Sequence, residues 1–185
     1  TDEYLELFSM IQEQTGRLSH LAEILLDMTG IQTIKRSETF SLAELTDEVL
    51  CDLTSIAEQK QIKLIQEDGD CTITGSYLLL YRAVFNLVEN AIKYNHPDGS
   101  VHINIKDENG FALISIKDTG IGIAPENQEK IFTPFFCVDK SRSRTMGGAG
   151  LGLALVAEIA QLHNGTVYVS ESDSEGSTII LKLPL

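Results

Sequence analysis

"NLVENAIKYN", residues 86–95, is the stretch on which the reading of this chain turns. Around it, apolar residues recur at helical spacing from about Ser76 to Tyr94. Asn86, Glu89, Asn90 and Lys93 fall at i, i+3, i+4 and i+7, one narrow arc of that helix. Leu80, Phe85, Val88 and Ile92 take the opposite side. A solvated polar face is the plain explanation. Yet asparagine inside a helix costs about half a kcal/mol relative to alanine, and surface helices favour Glu, Lys or Gln. Amide and carboxylate oxygens on one rigid face suit Mg²⁺ bridging phosphate groups, with Lys93 close to the phosphate charge.

A second stretch points the same way. "KSRSRTMGGAGLGLALV", residues 140–156, sets Gly147, Gly148, Gly150 and Gly152 directly before an apolar run of helix formers. Lys140, Arg142 and Arg144 lie just upstream. A helix N-terminus exposes unpaired N–H groups and about half a positive charge, and glycine lets that backbone approach a phosphate closely. A flexible loop capped by glycine is the alternative. No Lys-Ser/Thr follows the last glycine, so this is not a Walker A loop. The spacing is wrong for a dinucleotide fingerprint, and no strand leads into it.

In "IKDTGIGI", residues 116–123, Asp118 ends an apolar strand and Gly120 and Gly122 follow at once. A carboxylate at the lip of a strand can accept from an exocyclic amine, and the glycines let a flat base come near. A turn closed by an Asx-type bond explains the same residues. In "IFTPFF", residues 131–136, Phe132, Phe135 and Phe136 taken alone read as core rather than as ligand contacts.

Outward from these segments, residues 1–34 read as one long helix, with Leu7, Ile11, Leu18, Leu21, Leu25 and Met28 near helical spacing. Such a helix needs a partner helix to bury its stripe. Residues 35–40 read as a linker running into a short strand. "SLAE", from Ser41 to Glu44, is a capping box that opens a helix to about Lys60. "KLIQ" and "CTIT" read as a strand pair around the "EDGD" turn. "VHINIKD", "FALISIKD", "TVYVSES" and "STIILKLP" supply further strands, and the glycine-led helix covers about residues 151–163. Strands interrupted by helices, with hairpins among them, predict an α+β fold with a helical layer on a mixed sheet.

The totals exclude several classes. With 27 acidic and 14 basic residues the net charge is −13, which argues against nucleic-acid or anionic-membrane binding. Cys51, Cys71 and Cys137 are odd in number and lack C-x-x-C spacing, so reduced thiols are expected rather than a disulfide framework or structural zinc. No apolar run reaches the roughly 18 residues of a membrane helix, and no secretory signal is expected.

In this order the four segments resemble the ATP-binding domain of sensor histidine kinases, within the GHKL ATPase superfamily. The N box matches "NLVENAIKYN", the first glycine box "DTGIGI", the F box "IFTPFF" and the second glycine box "GGAGLGLALV". The resemblance makes residues 41–185 the ATP-binding domain, a two-layer α/β sandwich. It makes residues 1–34 the second helix of the dimerisation hairpin. It implies Mg²⁺ on Asn90 with Asn86 assisting, and Glu89 polarising the attacking group or a metal-bound water. Lys93 would touch phosphate and Tyr94 would line the nucleotide pocket. Asp118 would receive the adenine amine beside Gly120, Gly122, Ile123 and Phe132. Residues around the "DKSRSRTMGGAGLGL" lid would surround the phosphates, namely Lys140, Arg142, Arg144, Gly148, Gly150, Leu151 and Gly152. The implied activity is transfer of the ATP γ-phosphoryl group to a histidine of the dimerisation domain, then relay to a response regulator. The implied setting is a cytoplasmic domain of a homodimeric parent in the cell membrane, with no membrane contact of its own.

Three departures qualify the match. The helix that carries the family's acceptor histidine is missing. His20 in "LSHLAEILL" lacks the acidic residue and proline that accompany it, and His96, His102 and His163 lack that context too. Cys137 stands where the family usually has Arg, and Ala149 where Thr is common. Another GHKL ATPase module, or a pseudokinase that only binds nucleotide, are the alternative readings.

Overall fold

A computed structural model describes residues 30–138 and 150–185. Most of the expected leading helix, His20 included, lies outside the described residues. A short 3₁₀ turn, Ile31–Thr33, enters strand β1, Glu38–Ser41. Among the described residues the remaining α-helices and strands in chain order are α1 (Leu42–Gln59), β2 (Lys63–Gln66), β3 (Thr72–Gly75), α2 (Tyr77–Lys93), β4 (Ser100–Glu108), β5 (Phe111–Asp118), α3 (Gly152–Leu162), β6 (Thr166–Asp173) and β7 (Gly176–Pro184), with short 3₁₀ turns at Pro125–Asn127 and Lys130–Phe132.

The helices begin where the sequence places their caps. Ser41 Oγ accepts from Glu44 N at 3.1 Å to open α1, and Ser76 Oγ accepts from Leu79 N at 3.4 Å to open α2. Each bond satisfies one of the donors that a helix N-terminus leaves over.

Five strands form a mixed sheet in the order β2-β4-β5-β7-β6, with β2 parallel to β4 and the other neighbours antiparallel. Burial alternates along its central strands, as a sheet with one covered face requires. Val101, Ile103, Ile105, Ala112, Ile114, Ile116, Ile179, Leu181 and Leu183 point into the core, where Leu45, Leu53, Leu80, Leu87, Val88 and Ile159 of the three helices meet them. The result is the expected two-layer sandwich. Among the described residues no helix is long and apolar enough to cross a membrane.

One strand pairing differs from the sequence reading. "KLIQ" and "CTIT" do not pair with each other. β2 joins β4 in parallel, Leu64 opposite Val101, while β3 pairs antiparallel with β1 in a separate two-stranded sheet, Ile73 opposite Phe40. The turn between them is pulled away by a capping role. Asp70 Oδ1 accepts from Ser41 Oγ and from Ala43 N, both at 2.9 Å, and Cys71 O accepts from Leu42 N at 3.0 Å. The Ala43 bond, the largest influence, lowers the Asp70 carboxyl below its ordinary value. Residues 70–71 thus cap α1, which turns β3 towards β1.

Candidate functional site

Helices α2 and α3 lie antiparallel, fixed at one end by a histidine. His163, the C-cap of α3, is 7% exposed; its Nε2 accepts from Ser76 N at 3.0 Å, at the N-cap of α2. Its Nδ1 lies 2.8 Å from Ile159 O and is therefore the protonated nitrogen. Burial lowers its pKa, so the ring is held neutral. Both nitrogens are committed to the scaffold, which leaves none for phosphoryl chemistry.

The opposite end of the pair brings two of the sequence motifs together. A Cβ on Gly152 would stand 2.6 Å from Asn86 Oδ1 and 3.9 Å from Asn90 Nδ2, so the first residue of α3 rests on the asparagine face of α2. Any side chain at residue 152 would close that contact. Asn86 Nδ2 donates to Arg82 O at 2.8 Å, which leaves Oδ1 as the end of the amide turned to Gly152. Leu151, the N-cap residue of α3, gives no side-chain cap, and a helix N-terminus of this kind offers N–H groups to an acceptor. Leu151 is 1% exposed and has only backbone to offer there. On the same arc Asn86, Asn90, Lys93 and Tyr94 are half-buried, while Glu89 is exposed. Lys93 Nζ sits 5.4 Å from the centre of the Tyr94 ring. Lys140, Arg142, Arg144 and Gly148 lie outside the described residues.

Asp118 stands at the end of β5. Its Oδ1 accepts from Gly120 N at 2.8 Å and its Oδ2 from Ser177 Oγ at 2.6 Å. The first bond is the Asx-type turn, and it coexists with a receptor role because an ionised carboxylate has about four acceptor positions. Ile121 N donates to Tyr94 O at 3.2 Å, joining this loop to the end of α2. Gly122 has φ +67°, and a Cβ there would lie 1.8 Å from Asp173 O. Glycine is the residue that fits both constraints. A β-bulge between Val169 and Glu171 turns the end of β6 so that Ser172 Oγ accepts from Ile123 N at 2.7 Å. The aspartate, the two glycines and Ile123 thus lie in one braced loop.

The phenylalanine segment splits. Phe132 packs on the core and Phe136 is half-buried, but Phe135 is 61% exposed, against the expectation of a core residue. Its backbone is left-handed, φ +64°, and its N–H donates to Gly150 O at 2.9 Å. That bond sets the backbone and turns the ring outward. Gly150, itself at φ +70°, fits against this segment, since a Cβ would approach Phe136 O to 2.7 Å and Cys137 Sγ to 3.1 Å. Cys137 therefore packs at the base of the second glycine box. None of the three cysteines is in a disulfide.

Sequence reasoning missed Ser177, Ser172, Thr119 and Asn95, all of which brace the Asp118 loop. Ser177 is 59 positions from Asp118, and only strand register brings them together. Asn95, placed just past a helix end where side-chain amides often close turns, carried a readable signal.

A family model described as histidine kinase-, DNA gyrase B- and HSP90-like ATPase matches residues 75–185. The chain is similar to the sensor histidine kinase RppB of Synechocystis sp., at 36% identity over 181 residues, which are 95% of this chain and 40% of that protein. It spans less than half the length of the curated relatives it matches. Among solved structures it resembles the mycobacterial sensor histidine kinase MprB, with TM-score 0.68 and 27% identity over 80% of this chain and 97% of that one. It also resembles histidine kinase ThkA, crystallised with the response regulator TrrA, with TM-score 0.72 and 26% identity over 92% of this chain and 48% of that one.

Proposed function

The chain belongs to the histidine kinase-, DNA gyrase B- and HSP90-like ATPase family, and from that premise we propose that it is the ATP-binding catalytic portion of a two-component sensor histidine kinase. The observation that carries the proposal is the seating of Gly152 on Asn86 and Asn90. It sets the start of α3 against the amide oxygen of Asn86, while the backbone of Tyr94, at the end of the same α2, holds the loop that follows the braced aspartate. An anion fits the first end, a base with an exocyclic amine the second.

In this reading Asp118 accepts from the adenine amine through the positions that Gly120 and Ser177 leave over, and Gly120, Gly122, Ile123 and Phe132 shape the space around the base. The N–H groups at the start of α3, with Gly148 and Gly150, surround the phosphates. Lys93, Lys140, Arg142 and Arg144 supply positive charge there. Asn90 and Asn86 would hold Mg²⁺, which neutralises charge on the phosphate oxygens. Among the described residues no cluster of three or more His, Cys, Asp or Glu side chains is built to hold a metal. Two amide oxygens suit an ion that keeps several waters and takes its other ligands from phosphate.

Phosphoryl transfer needs mainly positioning and charge neutralisation, which this inventory supplies. Glu89 is exposed on the arc, where a histidine brought by the dimerisation domain can meet it, and it polarises that attacking group. The phosphoryl group would pass to that histidine and then to a response regulator. The parent is proposed to be a membrane-bound homodimer with this domain in the cytoplasm.

The test is single-turnover transfer from γ-labelled ATP to a separately supplied dimerisation domain of the same parent. Acid-labile, base-stable label should appear on that domain and not on this chain. Absence of magnesium-dependent ATP binding would overturn the whole reading. Binding without transfer would reduce it to a nucleotide-binding pseudokinase.

A further inference from the structure

We infer that Asn95 and Thr119 are positioning residues: a side-chain clasp that holds the Asp118 loop at a fixed place relative to α2 and so sets recognition of the base. The inference rests on the proposed role of Asp118 and adds to it two residues whose side chains bond to each other and to nearby backbone.

The chain has a problem to solve here. Asn86, Asn90 and Lys93 ride on α2, whereas Asp118 ends β5, and a ligand spanning both needs their separation fixed. Helix α2 stops at Tyr94, and the next side chain closes the gap. Asn95 Nδ2 donates to Ser100 O at 3.0 Å, and its Oδ1 accepts from His96 N at 2.9 Å and from Thr119 Oγ1 at 3.0 Å. The Thr119 hydroxyl has one proton, given to Asn95, so its lone pair takes the N–H of Ser100 at 2.9 Å. Thr119 N also donates to Ser100 O at 3.2 Å. Each of the two side chains both gives and accepts, and the ring of bonds runs from the residue after Tyr94 to the residue after Asp118.

The surroundings are shaped to this clasp. A Cβ on Gly99 would stand 2.2 Å from Asn95 Oδ1 and 2.7 Å from Thr119 Oγ1, so the backbone passes where only glycine leaves the two groups in contact. A Cβ on Gly120 would stand 2.4 Å from Tyr94 O, so the loop is pressed against the helix end on its other side. Loss of the Thr119 hydroxyl would leave Asn95 Oδ1 with one donor and Ser100 N without its acceptor. The loop carrying Asp118 would then shift, while the Asn86–Gly152 contact farther up α2 would stay.

The two ends can be separated with inosine triphosphate, which keeps the phosphates of ATP but has a carbonyl in place of the exocyclic amine. Wild-type protein should prefer ATP in a magnesium-containing binding titration. Thr119→Val, similar in shape but without the hydroxyl, should weaken ATP binding about tenfold, the scale of one hydrogen bond to a charged group, and leave inosine triphosphate binding unchanged. Thr119→Ser should restore the preference. In the transfer assay KM for ATP should rise while kcat holds. If Thr119→Val fails to fold, Asn95→Ser breaks the same Thr119–Asn95 bond from its acceptor side and carries the identical comparison. A folded variant with the wild-type ratio of the two affinities, or one that loses both nucleotides equally, would overturn the clasp. Wild-type protein that binds both nucleotides alike would instead overturn the base-binding role of Asp118 on which the clasp rests.

Discussion

The two ends of the proposed nucleotide site are built in opposite ways. The base end is a loop braced on every side: Asp118 by Gly120 and Ser177, Ile121 by Tyr94, Ile123 by Ser172 and Gly122 by the backbone of Asp173. The phosphate end is two helix surfaces touching at Gly152, where the N-cap residue Leu151 gives no side-chain cap. A braced loop is suited to selecting a ligand, since its shape exists beforehand. Backbone donors at a helix start and amide oxygens are suited to charge that develops during reaction, because fixed dipoles stabilise it without reorganising. The difference assigns affinity and specificity to one end and rate to the other.

The sharpest way to break that division is at Asn90. Asn90→Ala should lower phosphoryl transfer by at least about 10²-fold, the scale of losing one group that stabilises transition-state charge. It should also remove the magnesium dependence of ATP binding. The fold should persist, because alanine is the better helix former by about half a kcal/mol. Near-normal single-turnover rates in this variant would show that the α2 arc is a solvated face.

Asp118→Asn should do the reverse. An asparagine can still accept from Gly120 N and can donate to Ser177 Oγ, so the loop keeps its bonds. The adenine amine, however, meets an uncharged and already occupied amide. ATP affinity should fall by about 10- to 100-fold, as for a hydrogen bond to a charged group, with a much smaller change in kcat. Equal losses in kcat and in affinity would erase the distinction between the ends.

A third test asks whether bracing itself is what the base end uses. Gly122→Ala and Gly110→Ala both force alanine to positive φ, +67° and +80°, at about 1–2 kcal/mol each. Only Gly122 also faces backbone, since nothing lies within 4 Å of a Cβ at Gly110. Thermal melts should show a loss of about 2–8 °C for Gly110→Ala and a larger one for Gly122→Ala. ATP affinity should fall for Gly122→Ala alone. Matching melting temperatures would mean that the loop yields and the brace is slack.

How much of this was legible in the sequence follows the same divide. The phosphate end is largely local: Asn86, Glu89, Asn90 and Lys93 share an arc because a helix repeats every 3.6 residues, and Ser41 and Ser76 announce their helices by the residues that follow them. The base end is not local. Ser177 meets Asp118 across 59 positions through the register of β5 and β7, and Ser172 faces Ile123 after a bulge that residue types do not announce. The mistaken pairing of β2 with β3 has the same origin. "EDGD" reads as a turn whichever strand follows, and nothing in it says that Asp70 will cap a helix that begins 28 positions earlier. Phe135 looked like core because its ring is apolar, whereas the left-handed backbone that turns it outward depends on the distant Gly150.

The smallest expected effect concerns the hinge behind both ends. His163 joins the start of α2 to the end of α3, and so sets the register in which Gly152 meets Asn86. Its Nε2 faces the N–H of Ser76, an arrangement that a second ring proton would turn into donor against donor. Burial, chiefly, and then the charge of Arg36 act to lower its pKa, partly opposed by the bond to Ile159 O. The unfolded chain titrates near 6.5, so below that pH the unfolded state binds the proton that the folded state refuses. Stability from this group is therefore fully present above about pH 6.5 and declines as pH falls towards the lowered folded value, by about 1.4 kcal/mol per unit of displacement. Denaturant melts between pH 7.5 and 5.5 should show this slope in the wild type, and His163→Gln should flatten it while lowering stability at pH 7.5. A variant with the wild-type slope would assign the pH dependence to other groups and leave His163 as packing alone.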